Sequence, residues 1–214
     1  MLPLFWLLLR HFGPQHWWPA RGPFEVMVGA VLTQNTSWKN VERAIANLRG
    51  AGLLEPRALA KVSRETLERL VKPSGFFRVK ATRLKALVDF VMERYGGRVE
   101  AMAREPGWLI RGELLSVHGI GEETADSILL YALEKPFFVV DAYTRRILTR
   151  QGVISGRESY GEIQRFFMDQ LPGDVELFKE YHALLVELGK NYCRARNPLC
   201  GECPVNLEVT CGQG

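Results

Sequence analysis

Four cysteines, Cys193, Cys200, Cys203 and Cys211, are the only thiols in the 214-residue chain, with six, two and seven residues between them. Packed near the C-terminus with none upstream, they cannot staple the body of a fold as disulfides would. They suit a single metal centre. Thiolates are soft donors, and four of them fit either a structural zinc or an iron–sulfur cubane, which needs one on each iron. Zinc ribbons bring two close CxxC pairs together, whereas here only Cys200 and Cys203 form such a pair. The wide, single-loop wrap fits a 4Fe–4S cluster better than zinc, and a disulfide framework least well.

A second segment with chemical potential is LLSVHGIGEETADSILLYAL. Its centre, His118, Gly119, Ile120 and Gly121, is a glycine-flanked turn leading into a helix that begins near Glu122. Glycines let a backbone approach another surface closely, and a helix start presents N–H groups, so a phosphate oxygen is a natural guest. A plain tight connection between two helices would use the same residues.

Helices must position both segments. Residues 24–34, 37–49, 63–71, 79–95, 106–116, 122–134, 142–151, 158–170 and 174–190 each place apolar side chains at three- and four-residue intervals, and no stretch alternates as a strand would. Ser37 and Ser63 read as N-caps, Gly50, Gly52, Gly96 and Gly97 as stops, and Pro56, Pro106 and Pro172 as markers near helix starts. The opening MLPLFWLLLR is apolar over only about nine residues, without a basic leader or cleavage site, and reads as a buried first helix. The expected fold class is all-α, with about ten short helices in two lobes, one at 22–133 and one made from 1–21 plus 134–214.

A hydrophobic content of 47% is ample for a packed core, and no membrane span is expected. The charge of +4, from 28 basic and 24 acidic side chains, hints only weakly at an anionic partner. A bound cluster with four thiolates would subtract about two further charges, so any nucleic-acid footprint must come from local clustering. Thiols kept for a metal, with no export signal in view, point to a reducing cytoplasm.

Taken together, these segments resemble the endonuclease III type of DNA glycosylase, in the helix-hairpin-helix (HhH-GPD) superfamily. The family hairpin L-P-G-V-G-x-K-T-A is matched by VHGIGEETA, its following acidic residue by Asp141 in FVVDAYTRRIL, and its cluster loop by LGKNYC-x6-C-x2-C-x7-C. The last cysteine spacing is two residues longer than the family's commonest five. This resemblance implies an HhH-GPD fold, a 4Fe–4S cluster on Cys193, Cys200, Cys203 and Cys211, and double-stranded DNA containing a damaged base as the partner, bound by a monomer.

Excising a base builds positive charge on the sugar, and the resemblance implies that Asp141 is the carboxylate stabilising it. The same residue can cap the helix AYTRRIL, a compatible role. Glu123 stands where bifunctional members carry the Schiff-base lysine, so strand-cleaving lyase activity by that route is expected to be absent. Trp17, Trp18 and Trp38, with Glu123, form the expected substrate pocket. Tryptophan faces attract cations by about 0.5 to 2 kcal/mol, which suits a cationic base such as 3-methyladenine and resembles the 3-methyladenine glycosylase branch. These rings could equally fill a core.

By the same resemblance Phe76 is the wedge filling the gap left by a flipped base, Gln34 the polar plug, and His118, Gly119, Ile120 and Gly121 the hairpin that contacts DNA. Arg78, Lys80, Arg83 and Lys85 read as a basic face beside the wedge, or as a solvated helix face. Arg194 and Arg196 in the cluster loop are further phosphate contacts. The leading expectation is a monofunctional glycosylase for alkylated purines. The alternatives are a bifunctional enzyme for oxidised pyrimidines, a mismatch-specific pyrimidine glycosylase, and a non-catalytic damage-binding module.

Overall fold

A computed structural model describes residues 1–206, and Cys211 lies outside the described residues. It is built from helices, with no strand among the described residues. Two compact units are present, one of residues 20–135 and one in which residues 1–19 join those from 136 onward.

The 20–135 unit contains α2 (Pro23–Leu32), α3 (Trp38–Gly50), α4 (Pro56–Lys61), α5 (Arg64–Val71), α6 (Phe77–Tyr95), α7 (Val99–Arg104), α8 (Gly107–Ser116) and α9 (Glu122–Ser127). Helix α2 is apolar on every side and accordingly sits in the core, with all but its first residue buried. Its one acid, Glu25, is only 6% exposed and is paired with Arg49 of α3 at 2.6 Å. Helix α9 runs into a wholly buried π-helical turn, Ile128–Ala132, where the sequence pattern suggests one regular helix over 122–134. The six-residue helices α4 and α7 span too few turns to show a period, so the pattern does not reveal them.

The other unit contains α1 (Leu2–Phe12), α10 (Ala142–Arg150), α11 (Tyr160–Gln170) and α12 (Val175–Asn191). Its centre is aromatic: Phe138 stacks on Phe167 at 3.9 Å, and Phe178 and Tyr181 meet Phe138 edge-on. Ser159 and Glu162 close a capping box at the start of α11. Helices α10 and α12 approach closely because Gly189 has no side chain; a Cβ there would lie 2.4 Å from the Tyr143 ring. Helix α1 buries one face through Phe5 and Leu8, but Trp6 is 60% exposed, so the expectation of a buried first helix holds for that face only. No helix among the described residues is long and apolar enough to cross a membrane.

Candidate active site and nucleic-acid interface

In the 20–135 unit, α8 and α9 flank the turn at His118–Gly121. Gly119 adopts φ +82°, in the left-handed region, and Ile120 is buried beneath the turn while His118 is exposed. A Cβ on Gly119 would collide with Arg83 at 2.3 Å, so glycine also makes room for that side chain. Arg111 of α8 straps the hairpin from behind, gripping Asp126 of α9 through Nε at 2.7 Å and Nη2 at 3.0 Å. Glu122 and Glu123 suit the positive end of α9, but they oppose a phosphate there. Any phosphate contact therefore falls to the turn backbone.

Gln34 faces this hairpin. Its Nε2 donates to the Gly119 carbonyl (3.1 Å) and to Thr124 Oγ1 (2.9 Å), while its Oε1 accepts from Arg83. The expected plug is thus engaged as a strut within the protein, and the exposed, left-handed Asn35 beside it is the outward residue. Phe76 is 69% exposed and also left-handed (φ +44°), a conformation that costs a bulky residue on the order of 1–2 kcal/mol. Strain and exposure on one large ring suit a wedge. If Phe76 is the wedge that the resemblance implies, a Phe76→Ala variant should keep its stability yet release a base from duplex DNA about tenfold more slowly, because the void in the stack would go unfilled. Comparing rates on duplex and on single strands carrying the same lesion checks this; equal losses on both would contradict it.

The expected basic face beside Phe76 is overturned. Lys80 is 1% exposed, and its ammonium donates to the carbonyls of Ser74 (2.6 Å) and Leu32 (2.9 Å), tying the Phe76 loop to the end of α2. Burial, with Arg83 adding repulsion, pushes its pKa down to about 8. Lys85 caps the Leu59 and Ala60 carbonyls and Arg83 holds Gln34, which leaves Arg78 as the exposed cation of the four. Trp38 bonds Glu42 through its indole N–H at 3.0 Å, and Glu123 is exposed; both belong to this unit.

The other unit carries Asp141 at the N-cap of α10. Its Oδ1 accepts the Thr144 N–H at 2.7 Å, and its Oδ2 lies 3.5 Å from Nε2 of His182 on α12. Burial pushes the Asp141 pKa upward, but His182 and the Thr144 N–H outweigh it, so the carboxyl lies below the ordinary value. Trp17 meets His182 at 6.0 Å with the rings 62° apart, and Trp18 follows Trp17 at 6.3 Å. Glu180, two residues before His182, accepts the backbone N–H groups of Gln15 (2.5 Å) and His16 (3.3 Å) and so pins the tryptophan loop to α12. Of the expected pocket residues, Trp17 and Trp18 share a unit with Asp141; Trp38 and Glu123 do not.

Beyond α12, Cys193, Cys200 and Cys203 are free thiols lining one cavity, with Ile147 and Leu188 as its apolar wall. Two arginines of α10 hold the loop. Arg146 donates to the Cys193 carbonyl at 2.7 Å, and Arg150 reaches Cys193 Sγ at 3.5 Å and the Arg194 carbonyl at 2.6 Å. Soft thiols along one cavity beside two arginines suit an anionic iron–sulfur cluster in their chemistry, although no three such ligands among the described residues are grouped as a metal site. Arg194 and Arg196 project from this loop and are exposed.

His182, Glu180 and Arg111 are positions that sequence reasoning missed, and Lys80 is one whose role it misread. Only Lys80 left a usable signal, since it falls on the apolar stripe of Leu84, Leu87 and Val91.

Residues 28–172 match the family model of the HhH-GPD superfamily base excision DNA repair proteins, and residues 193–206 match the iron–sulfur binding domain of endonuclease III. A Methanocaldococcus jannaschii protein carrying a provisional DNA repair glycosylase name is 51% identical, over 94% of this chain and 92% of its own. Endonuclease III of Thermotoga maritima is 35% identical over 85% of this chain and 79% of its own. The crystal structure of the H. pylori 3-methyladenine DNA glycosylase bound to 1,N6-ethenoadenine aligns with a TM-score of 0.74 at 32% identity, covering 86% of this chain and 91% of that one.

Proposed function

We propose, on the premise that this chain belongs to the HhH-GPD superfamily of base excision DNA repair glycosylases and carries a 4Fe–4S cluster, that it is a monofunctional enzyme releasing alkylated purines such as 3-methyladenine. The observation carrying this reading is the side-by-side placement of an aromatic ring and an ionised carboxylate on His182, with Trp17 on one side and Asp141 on the other. A cationic base stacks on such a ring, and its weakened glycosidic bond needs little acid catalysis. The carboxylate offsets the charge that develops at C1′ as the base departs, and it can orient the attacking water. Cys193, Cys200, Cys203 and Cys211 would hold the cluster, which fixes the loop bearing Arg194 and Arg196 for phosphate contact.

The state of Glu123, Lys80 and Lys190 supports hydrolysis without strand cleavage. Glu123 cannot form an imine. Lys80 has the depressed pKa of a nucleophile, but it is buried and committed to two carbonyls. Lys190 is paired with Glu187 at 2.7 Å. The likeness to the T. maritima endonuclease III favours a second reading, a bifunctional enzyme using another amine. Borohydride added during reaction with abasic duplex DNA separates the two. No covalent adduct is expected, and a trapped protein–DNA complex would establish the second reading.

A further inference from the structure

We propose that His182 is the positioning residue of this active site, a single imidazole that holds the Asp141 carboxylate and the Trp17 ring in register. The proposal rests on the reading of Asp141 given above. His182 is 6% exposed on the inner face of α12, so its ring cannot swing without repacking. Asp141 has one oxygen fixed by the helix cap, through the Thr144 N–H. Its other oxygen, the one left for chemistry, faces Nε2 of His182 at 3.5 Å, a spacing that can tighten when DNA is bound. Edge contact with Trp17 places the stacking surface on the same ring.

The chemistry favours imidazole here. An N–H on Nε2 would orient the carboxylate oxygen that faces it. The same ring also meets Trp17, at 6.0 Å between centroids and 62° between planes. Glu180, on the same helix, anchors the chain just before Trp17 and so limits how far the tryptophan can drift. The groups acting on Asp141 are His182 from α12 and the Thr144 N–H within α10, with burial opposing both. Removing His182 therefore lets burial push the Asp141 pKa upward.

The test is single-turnover base release across pH by iron-loaded wild type, His182→Ala, His182→Gln and His182→Asn. Dimethyl sulfate-methylated duplex DNA is the substrate, or a thymine glycol duplex should wild type prefer it. Binding to a duplex with a tetrahydrofuran abasic analogue is measured alongside. His182→Ala should release base about 100-fold more slowly, as for a reacting group misplaced by about 1 Å, with its acid limb moved to higher pH and its binding unchanged. His182→Gln should recover most of the rate, because its amide nitrogen reaches as far as Nε2, and the shorter Asn should not. An unmoved acid limb, or equal losses for Gln and Asn, would overturn the proposal. If Ala fails to bind the analogue, the Gln and Asn pair carries the same contrast. Asp141→Asn is run in parallel, and its release of base at the wild-type rate would refute the reading of Asp141 instead.

Discussion

Replacing Asp141 with Asn is expected to slow base release by about 100- to 1,000-fold, or about 3–4 kcal/mol of transition-state stabilisation, while leaving the fold and DNA binding in place. Asn caps a helix as well as Asp does, so the bond from the Thr144 N–H survives and α10 keeps its start. What disappears is the negative charge. Asp141 is buried beside His182 with its pKa below the ordinary carboxyl value, so in the wild type that charge persists through neutral pH and into the acid range. Activity should accordingly fall only as pH drops below the usual carboxylate range. Single-turnover release, read beside binding to an abasic-analogue duplex, checks the variant; wild-type release would remove Asp141 from the chemistry.

Arg111→Ala should destabilise the protein by about 3–5 kcal/mol. Asp126 has no exposure at all and receives two hydrogen bonds from the Arg111 guanidinium, so deleting the arginine strands a buried charge. Removing both charges, as in Arg111→Met with Asp126→Leu, should recover much of the loss, because the cost lies in the uncompensated carboxylate more than in the missing pair. Arg111 also lies 3.6 Å from Glu122, so the single variant disturbs the start of α9 and with it the turn proposed to approach DNA. Denaturant midpoints for the single and double variants decide the matter. A double variant as unstable as the single one would show that Arg111 acts through packing.

What could be read directly from the sequence is whatever depends on spacing along the chain. The cysteine loop was legible because metal ligands must recur at short intervals, and Asp141 was legible as a helix cap from its place before AYTRRIL, its catalytic role coming from the resemblance alone. The long helices announced themselves by period, as α6 and α12 do. His182 was not legible, since one histidine in an apolar helix looks like core until Asp141 is brought to it from another helix. Gln34 turns inward to the hairpin beside an exposed, left-handed Asn35, a local turn that composition does not encode. The basic run at 78–85 misled because Lys80 and Lys85 cap carbonyls from distant segments, and a linear pattern records no such partners.

The most direct measurement is single-turnover incubation of the iron-loaded protein with methylated duplex DNA, a thymine glycol duplex and a G·T mismatch duplex, scoring base release and strand cleavage separately. Release of 3-methyladenine that leaves an intact abasic strand is the predicted result. Strand cleavage at thymine glycol, or release of thymine from the mismatch with methylated DNA untouched, would contradict it.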